Sequence, residues 1–133
     1  MDAAIRDRVR RRATNRCEYC RLPQAHLLFS LFHIEHICPK KHGGTDAEDN
    51  LCLACNFCNL HKSSNLTGID PQTRSITPLF HPRRDQWLDH FAFDGGVIVG
   101  LTAVGRTTVL VLNMNDPERI ELRLEILDSN LPH

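Results

Sequence analysis

The sequence predicts an α+β chain: a cysteine-stapled core at the N-terminal side, followed by a mixed extension of a hairpin and helices. Three observations predict it. Apolar residues near the start recur at helical spacing, several short segments are rich in β-prone side chains, and two Cys-x-x-Cys pairs bracket the stretch between them. The 133 residues suit one domain, or one small domain with an extension. The predicted division is 1–66 for the core, with its N-terminal helix and cysteine knuckles, and 67–133 for an extension packed on it.

The elements follow in order. Residues 2–13 read as a helix capped by Asp2, with Ile5, Val9 and Ala13 on one face. Cys17-Glu18-Tyr19-Cys20 forms a tight knuckle, and Leu22-Pro23 breaks the chain. Residues 28–36, around Phe29, Leu31, Phe32 and Ile34, read as a strand. His42-Gly43-Gly44-Thr45-Asp46 is a loop, 50–53 opens a second short apolar element, and a helix starts near Cys55 and runs through Lys62.

Gly68, Pro71, Pro78 and Pro82 predict an ordered but irregular connection over 65–86. His90–Phe93 and Val97–Leu101 flank Asp94-Gly95-Gly96, a hairpin signal. Thr102 can cap a helix with Val104, Thr108, Val111 and Leu112 on one face, while Thr107–Leu112 also suits a strand. Asp116-Pro117 starts a last helix with an apolar stripe of Ile120, Leu124 and Leu127.

Lysines and arginines equal aspartates and glutamates at 16 each, so the chain has no global basic signature of nucleic-acid binding. The distribution is uneven. Residues 1–62 carry 10 basic against 7 acidic side chains, concentrated in Arg6, Arg8, Arg10, Arg11, Arg12 and Arg16. Such an arm reads either as a phosphate-contacting surface or as a solvated helix face. No apolar run approaches the roughly 20 residues needed to span a bilayer, and the start lacks a signal-peptide core. The expected setting is therefore cytoplasmic and reducing, where six cysteines serve metals rather than disulfides.

Cys17 and Cys20, with Cys55 and Cys58, make two pairs whose two-residue spacers let four sulfurs reach one tetrahedral Zn²⁺. That site is closed and structural. It compensates for a small core in which aromatics are only 6% of the chain. Cys38 and Cys52 lie outside both pairs and read as small buried hydrophobes, as the single Trp87 reads as core.

Between and around those pairs stand oxygen donors and an imidazole. Glu35 offers a hard carboxylate and Asn59 a carbonyl oxygen, a pair suited to Mg²⁺ or Mn²⁺. His36 has the ionisation range of a general base near neutral pH. Lys40, Lys41 and Lys62 suit contacts to phosphate, and His33, His42 and His61 lie nearby in the sequence.

This pattern resembles the HNH endonuclease family. Glu35-His36 stands at the acid-His position, Pro39 and Gly43-Gly44 at the following proline and glycine pair, Asn50-Leu51 at the middle asparagine, and Asn59 directly after Cys58 at the third position. Lys62 completes the motif, and the two interleaved Cys-x-x-Cys pairs resemble the zinc-bearing branch. The resemblance covers about residues 12–62. Beyond it, Gly68-Ile69-Asp70-Pro71, Pro78-Leu79-Phe80, Pro82-Arg83, Trp87, His90-Phe91 and Gly105-Arg106 are similar to a bacterial subgroup of the family, with no function implied.

The resemblance implies a ββα-metal (His-Me finger) core that hydrolyses nucleic acid, with DNA as the expected substrate. It implies that His36 activates water, that Asn50 holds the His36 ring, and that Glu35 and Asn59 bind the catalytic cation. Lys62, Lys40, Lys41 and Arg12 are, by their charge and position, the side chains expected against nucleic acid. Two positions depart from the commoner pattern, Glu35 for Asp and Asn59 for His; the latter favours a hard cation. In a regular strand Glu35 and His36 would take opposite faces, so a strand end or bulge is expected there. The rival readings are a non-catalytic zinc module that binds nucleic acid or protein, and a nuclease acting on RNA.

Overall fold

The computed structural model describes residues 1–27 and 30–129. It divides into two compact units: Met1–Leu66 with His81–Asp85, and Thr67–Phe80 with the chain from Gln86 onward.

The first unit opens with α1 (Ala3–Arg12), capped by Asp2, whose carboxylate accepts the Ile5 N–H at 2.8 Å. Val9 and Ala13 form its buried face, and it packs on β1 (His33–His36) and β2 (Leu51–Ala54). The two strands pair antiparallel in register His33↔Ala54 through His36↔Leu51. Every residue of β2 is buried, which fixes the sheet as the floor of the unit. Next, α2 (Asn56–Lys62) lies against both strands. Strand, strand and helix therefore follow in the predicted order. The observed β1 is shorter than the predicted 28–36, and Leu28 and Phe29 lie outside the described residues.

Cys55 caps α2, its sulfur taking the Cys58 N–H at 3.4 Å, so the second knuckle and the helix start are one structure. Buried Glu18, in the first knuckle, accepts the Leu53 N–H at 2.7 Å and pairs with Arg83 from the short His81–Asp85 segment.

The second unit corrects the irregular connection expected over 65–86. It contains a hairpin of β3 (Thr67–Ile69) and β4 (Ile76–Pro78), paired Ile69↔Ile76. Asp70 builds its turn, accepting from the Gln72 and Thr73 amides and the Thr73 hydroxyl. A single turn of helix, α3 (Trp87–His90), precedes the expected hairpin of β5 (Phe91–Asp94) and β6 (Val97–Gly100). Gly95 takes φ +59° in its two-residue turn, a conformation most side chains avoid.

Thr102 caps α4 (Ala103–Val111) by accepting the Gly105 N–H at 3.0 Å, and the ambiguous 107–112 stretch is helical to Val111. This helix packs on β6 and on the β3–β4 hairpin. In α5 (Pro117–Ser129) the apolar stripe expected at Leu124 and Leu127 is not a buried face: both are nearly half exposed. The buried residue is Arg123, whose guanidinium donates to the carbonyls of Gly96 and Met114, each at 2.6 Å. Trp87 is core, as read from the sequence, packed against Phe91 and Phe93.

Candidate active site and metal cluster

The four cysteines of the two knuckles meet. The sulfurs of Cys17, Cys20, Cys55 and Cys58 all lie within 4.8 Å of one another, and all four residues are buried. Cys20 and Cys55 are 3.8 Å apart, sulfur to sulfur. A tetrahedral zinc ion with Zn–S bonds of about 2.3 Å requires sulfurs about that far apart, so the donor set fits zinc. The Cys20 and Cys58 amides point at the Cys17 and Cys55 sulfurs, as stabilised thiolates need. Without a cation, burial pushes the Cys17 thiol well up, while hydrogen bonding from Cys17 holds Cys55 down. Four thiolates together thus require a bound cation. The other two cysteines differ from each other: Cys52 is fully buried, whereas Cys38 is part-exposed beside the loop after β1.

On the same unit a cavity of about 310 Å³ is lined by Ile34, Glu35, His36, Lys40 and Asn59, among others. Pairing with β2 is regular through His36, so no bulge brings the Glu35 and His36 side chains to one face. His36 is instead the last strand residue, and the cavity at this strand end reaches both. Asn59 comes from the first half of α2, and among the described residues its side chain makes no hydrogen bond, leaving its amide oxygen available to a ligand.

Glu35 is almost fully buried. Its Oε1 lies 3.0 Å from the Lys62 ammonium, and its Oε2 accepts from the Cys52 thiol at 3.3 Å. The Tyr19 hydroxyl, from inside the first knuckle, stands 3.7 Å from the Cys52 sulfur. Burial raises the Glu35 carboxyl above its ordinary range, and the Lys62 charge opposes that shift. Lys62 itself is 2% exposed and also donates to the Ile37 carbonyl at 3.1 Å. The phosphate contact expected of Lys62 is therefore corrected: its ammonium is turned inward because Glu35 needs a buried counter-charge.

The His36 ring is bonded through Nε2 to Asp46 Oδ1 at 2.6 Å. Direct contact with that ring was expected of Asn50. The Asn50 amide instead accepts the Cys38 N–H at 2.8 Å and donates to the carbonyls of Cys38 and Thr45, at 3.0 and 2.9 Å. It braces the loop that carries Asp46. Sequence reasoning missed Asp46. The available signal was an acid two residues beyond the Gly43-Gly44 pair of a motif whose histidine needs a partner.

Residues 17–65 match the family model of the HNH endonucleases. The chain carries an HNH domain. No curated protein and no solved structure matches the chain. The match spans both knuckles, the strands and α2, so the cysteine cluster and the cavity both belong to the HNH domain. Its architecture is the strand–strand–helix arrangement, with four cysteines gathered at metal-binding distance.

Around the HNH domain, the arginines of α1 divide into two groups. Arg8 pairs with Glu48 at 2.6 Å, Arg10 donates to the Phe32 carbonyl at 3.2 Å, and Arg12 donates to the carbonyls of Glu48 and Leu51 at 3.0 and 2.6 Å. Arg12, expected against nucleic acid, is exposed, and its guanidinium joins α1 to the backbone carbonyls at the start of β2. Arg6 is exposed, and its guanidinium makes no hydrogen bond or ion pair among the described residues.

Lys40 and Lys41 are exposed, and Lys40 stands 3.6 Å from Asp46. His42 and His61 bond to the Ser64 and Phe57 carbonyls. His33 is exposed in a second cavity of about 330 Å³ lined also by Arg6, Arg10 and Ile34. Among the described residues no helix is long and apolar enough to cross a membrane.

Proposed function

We propose that the HNH domain is a metal-dependent endonuclease that hydrolyses phosphodiester bonds of DNA. One observation carries this reading: Glu35, His36 and Asn59 line a single cavity within the stretch that matches the HNH model.

His36 acts as the general base, taking a proton from the water that attacks phosphorus. The P–O bond to the 3′ oxygen breaks, leaving the 5′ phosphate and 3′ hydroxyl that the family resemblance implies. Glu35 and Asn59 would hold Mg²⁺ or Mn²⁺, a carboxylate and an amide oxygen that line one cavity, with the cation taking the place of a present Glu35 partner, Lys62 or Cys52. When bound, that cation supplies Lewis acidity to the phosphate and steadies charge on the departing oxygen.

Lys62 gives the buried Glu35 carboxylate a counter-charge that opposes the effect of its burial. Lys40 lines the cavity as a phosphate contact, and the neighbouring cavity, lined also by His33, continues the cationic surface through Arg6 and Arg10, meeting the first at Ile34. Zinc on the four cysteines would hold Tyr19 and the start of α2 in place.

The test is nicking of supercoiled plasmid with Mg²⁺ or Mn²⁺, run beside an end-labelled RNA. The zinc-loaded protein should nick DNA, and His36→Ala should slow it by about 10²–10⁴-fold. Equal rates in both proteins remove the catalytic assignment. Cleavage of RNA alone transfers the same chemistry to that substrate. Metal-independent binding without cleavage favours an interaction module.

A further inference from the structure

We propose that Asp46 is a positioning residue for the general base, holding the His36 ring through its Nε2–H so that Nδ1 is the nitrogen that accepts the proton. The role rests on the nuclease reading, but the contact itself does not.

The geometry is specific. His36 Nε2 lies 2.6 Å from Asp46 Oδ1, the separation of a charge-assisted hydrogen bond. The bond from His36 and the nearby Lys40 ammonium hold the Asp46 carboxyl below its ordinary range, so it is ionised at neutral pH. An ionised carboxylate only accepts, so Nε2 must carry the hydrogen. In the neutral ring the lone pair is then on Nδ1, which makes no hydrogen bond among the described residues. His36 lines the cavity beside Glu35 and Asn59, where an attacking water would be deprotonated. A carboxylate that sets the tautomer and orientation of a catalytic imidazole is a recurrent arrangement.

The loop is built to hold that carboxylate still. The Asn50 amide ties together Cys38 and Thr45, the residue before Asp46. The Gly44 N–H bonds to the Pro39 carbonyl at 3.0 Å, and a Cβ on Gly44 would stand 1.7 Å from the Cys38 carbonyl oxygen. Only glycine lets the loop close so tightly onto the strand exit. The chain of support runs from Asn50 to the Thr45 backbone, to Asp46, to His36. The middle asparagine thus influences the base without touching it.

The bond is read by proton NMR of the ¹⁵N-labelled, zinc-loaded protein without Mg²⁺, and its consequence by kinetics on plasmid. A downfield, slowly exchanging proton correlated to His36 Nε2 is expected in wild type and lost in Asp46→Ala. With zinc content and circular dichroism unchanged, Asp46→Ala should lower kcat about 10- to 100-fold with KM for DNA unmoved. Asp46→Asn, which keeps an acceptor oxygen but no charge, should fall between. A wild-type His36 protonated on Nδ1, or an Asp46→Ala protein with wild-type kcat, overturns the proposal. A protein that shows the bonded proton yet cleaves no nucleic acid sinks the nuclease reading, and with it the positioning role.

Discussion

The Lys62 ammonium stands 3.0 Å from Glu35 Oε1 with both side chains almost entirely out of solvent. A buried charge is tolerable only with its partner, so removing one member costs more than the pair contributes. Lys62→Met should lower the unfolding free energy by about 3–5 kcal/mol in urea titrations. Adding Glu35→Gln should recover part of that loss, because the stranded carboxylate is then gone. A double variant no more stable than the single would show that the two side chains do not compensate each other.

The cysteine cluster makes a simpler demand. Elemental analysis should find one zinc per chain, and Cys58→Ser should lose it. Because both knuckles and the cap of α2 depend on those sulfurs, the same variant, like chelator treatment, should lose helical circular dichroism. Full helicity in a zinc-free protein would contradict a structural metal.

Arg6 lines the cavity beside the proposed catalytic one, and its guanidinium has no partner among the described residues. Arg6→Ala should therefore weaken DNA binding across sequences, raise KM with kcat little changed, and reduce the salt slope by about 1. Arg12→Ala serves as the contrast: its guanidinium is engaged with the Glu48 and Leu51 carbonyls, so its loss should read out as lowered stability. An unchanged salt slope for Arg6→Ala would remove the second cavity from the substrate path.

In the second unit, Asp70 accepts two hydrogen bonds from Arg106, at 3.0 and 2.9 Å, and is fully buried. The guanidinium holds its carboxyl well below the ordinary value of 3.8. Depression in the folded state means the unfolded chain binds the proton first. The stabilisation is thus complete above that ordinary value and disappears as pH falls toward the folded one. Fluorescence of Trp87, in the same unit, should report acid unfolding whose steepness below pH 4 is reduced in Asp70→Asn. Identical acid profiles would deny the linkage.

Much of the first unit was legible because its signals are local. Asp2 caps as its side-chain chemistry requires, and the Cys-x-x-Cys spacers and the step from strand to helix at Cys55 are properties of neighbouring residues. What was not legible depends on partners distant in sequence. Lys62 reads as a surface cation at a helix end, and only the fold sets it against Glu35, 27 positions earlier. Arg123 sits inside an apparent apolar stripe, yet it is the buried residue, because Gly96 and Met114 present carbonyls to it.

The β3–β4 hairpin escaped notice because its strands have three residues each and expose Ile69 and Ile76, leaving no inward apolar alternation to read. At the candidate site, the motif pointed to Glu35, His36 and Asn59, while Asp46 became visible only once the loop was seen folded back on the strand.

One cation is expected where the carboxylate of Glu35 and the amide of Asn59 border the His36 cavity. Anomalous diffraction from crystals of the zinc-loaded protein soaked in Mn²⁺ tests it most directly. A manganese peak is expected within bonding distance of both side chains, absent in Glu35→Gln. A chain that cleaves DNA with manganese bound only elsewhere, and nothing beside Glu35 and Asn59, would contradict it.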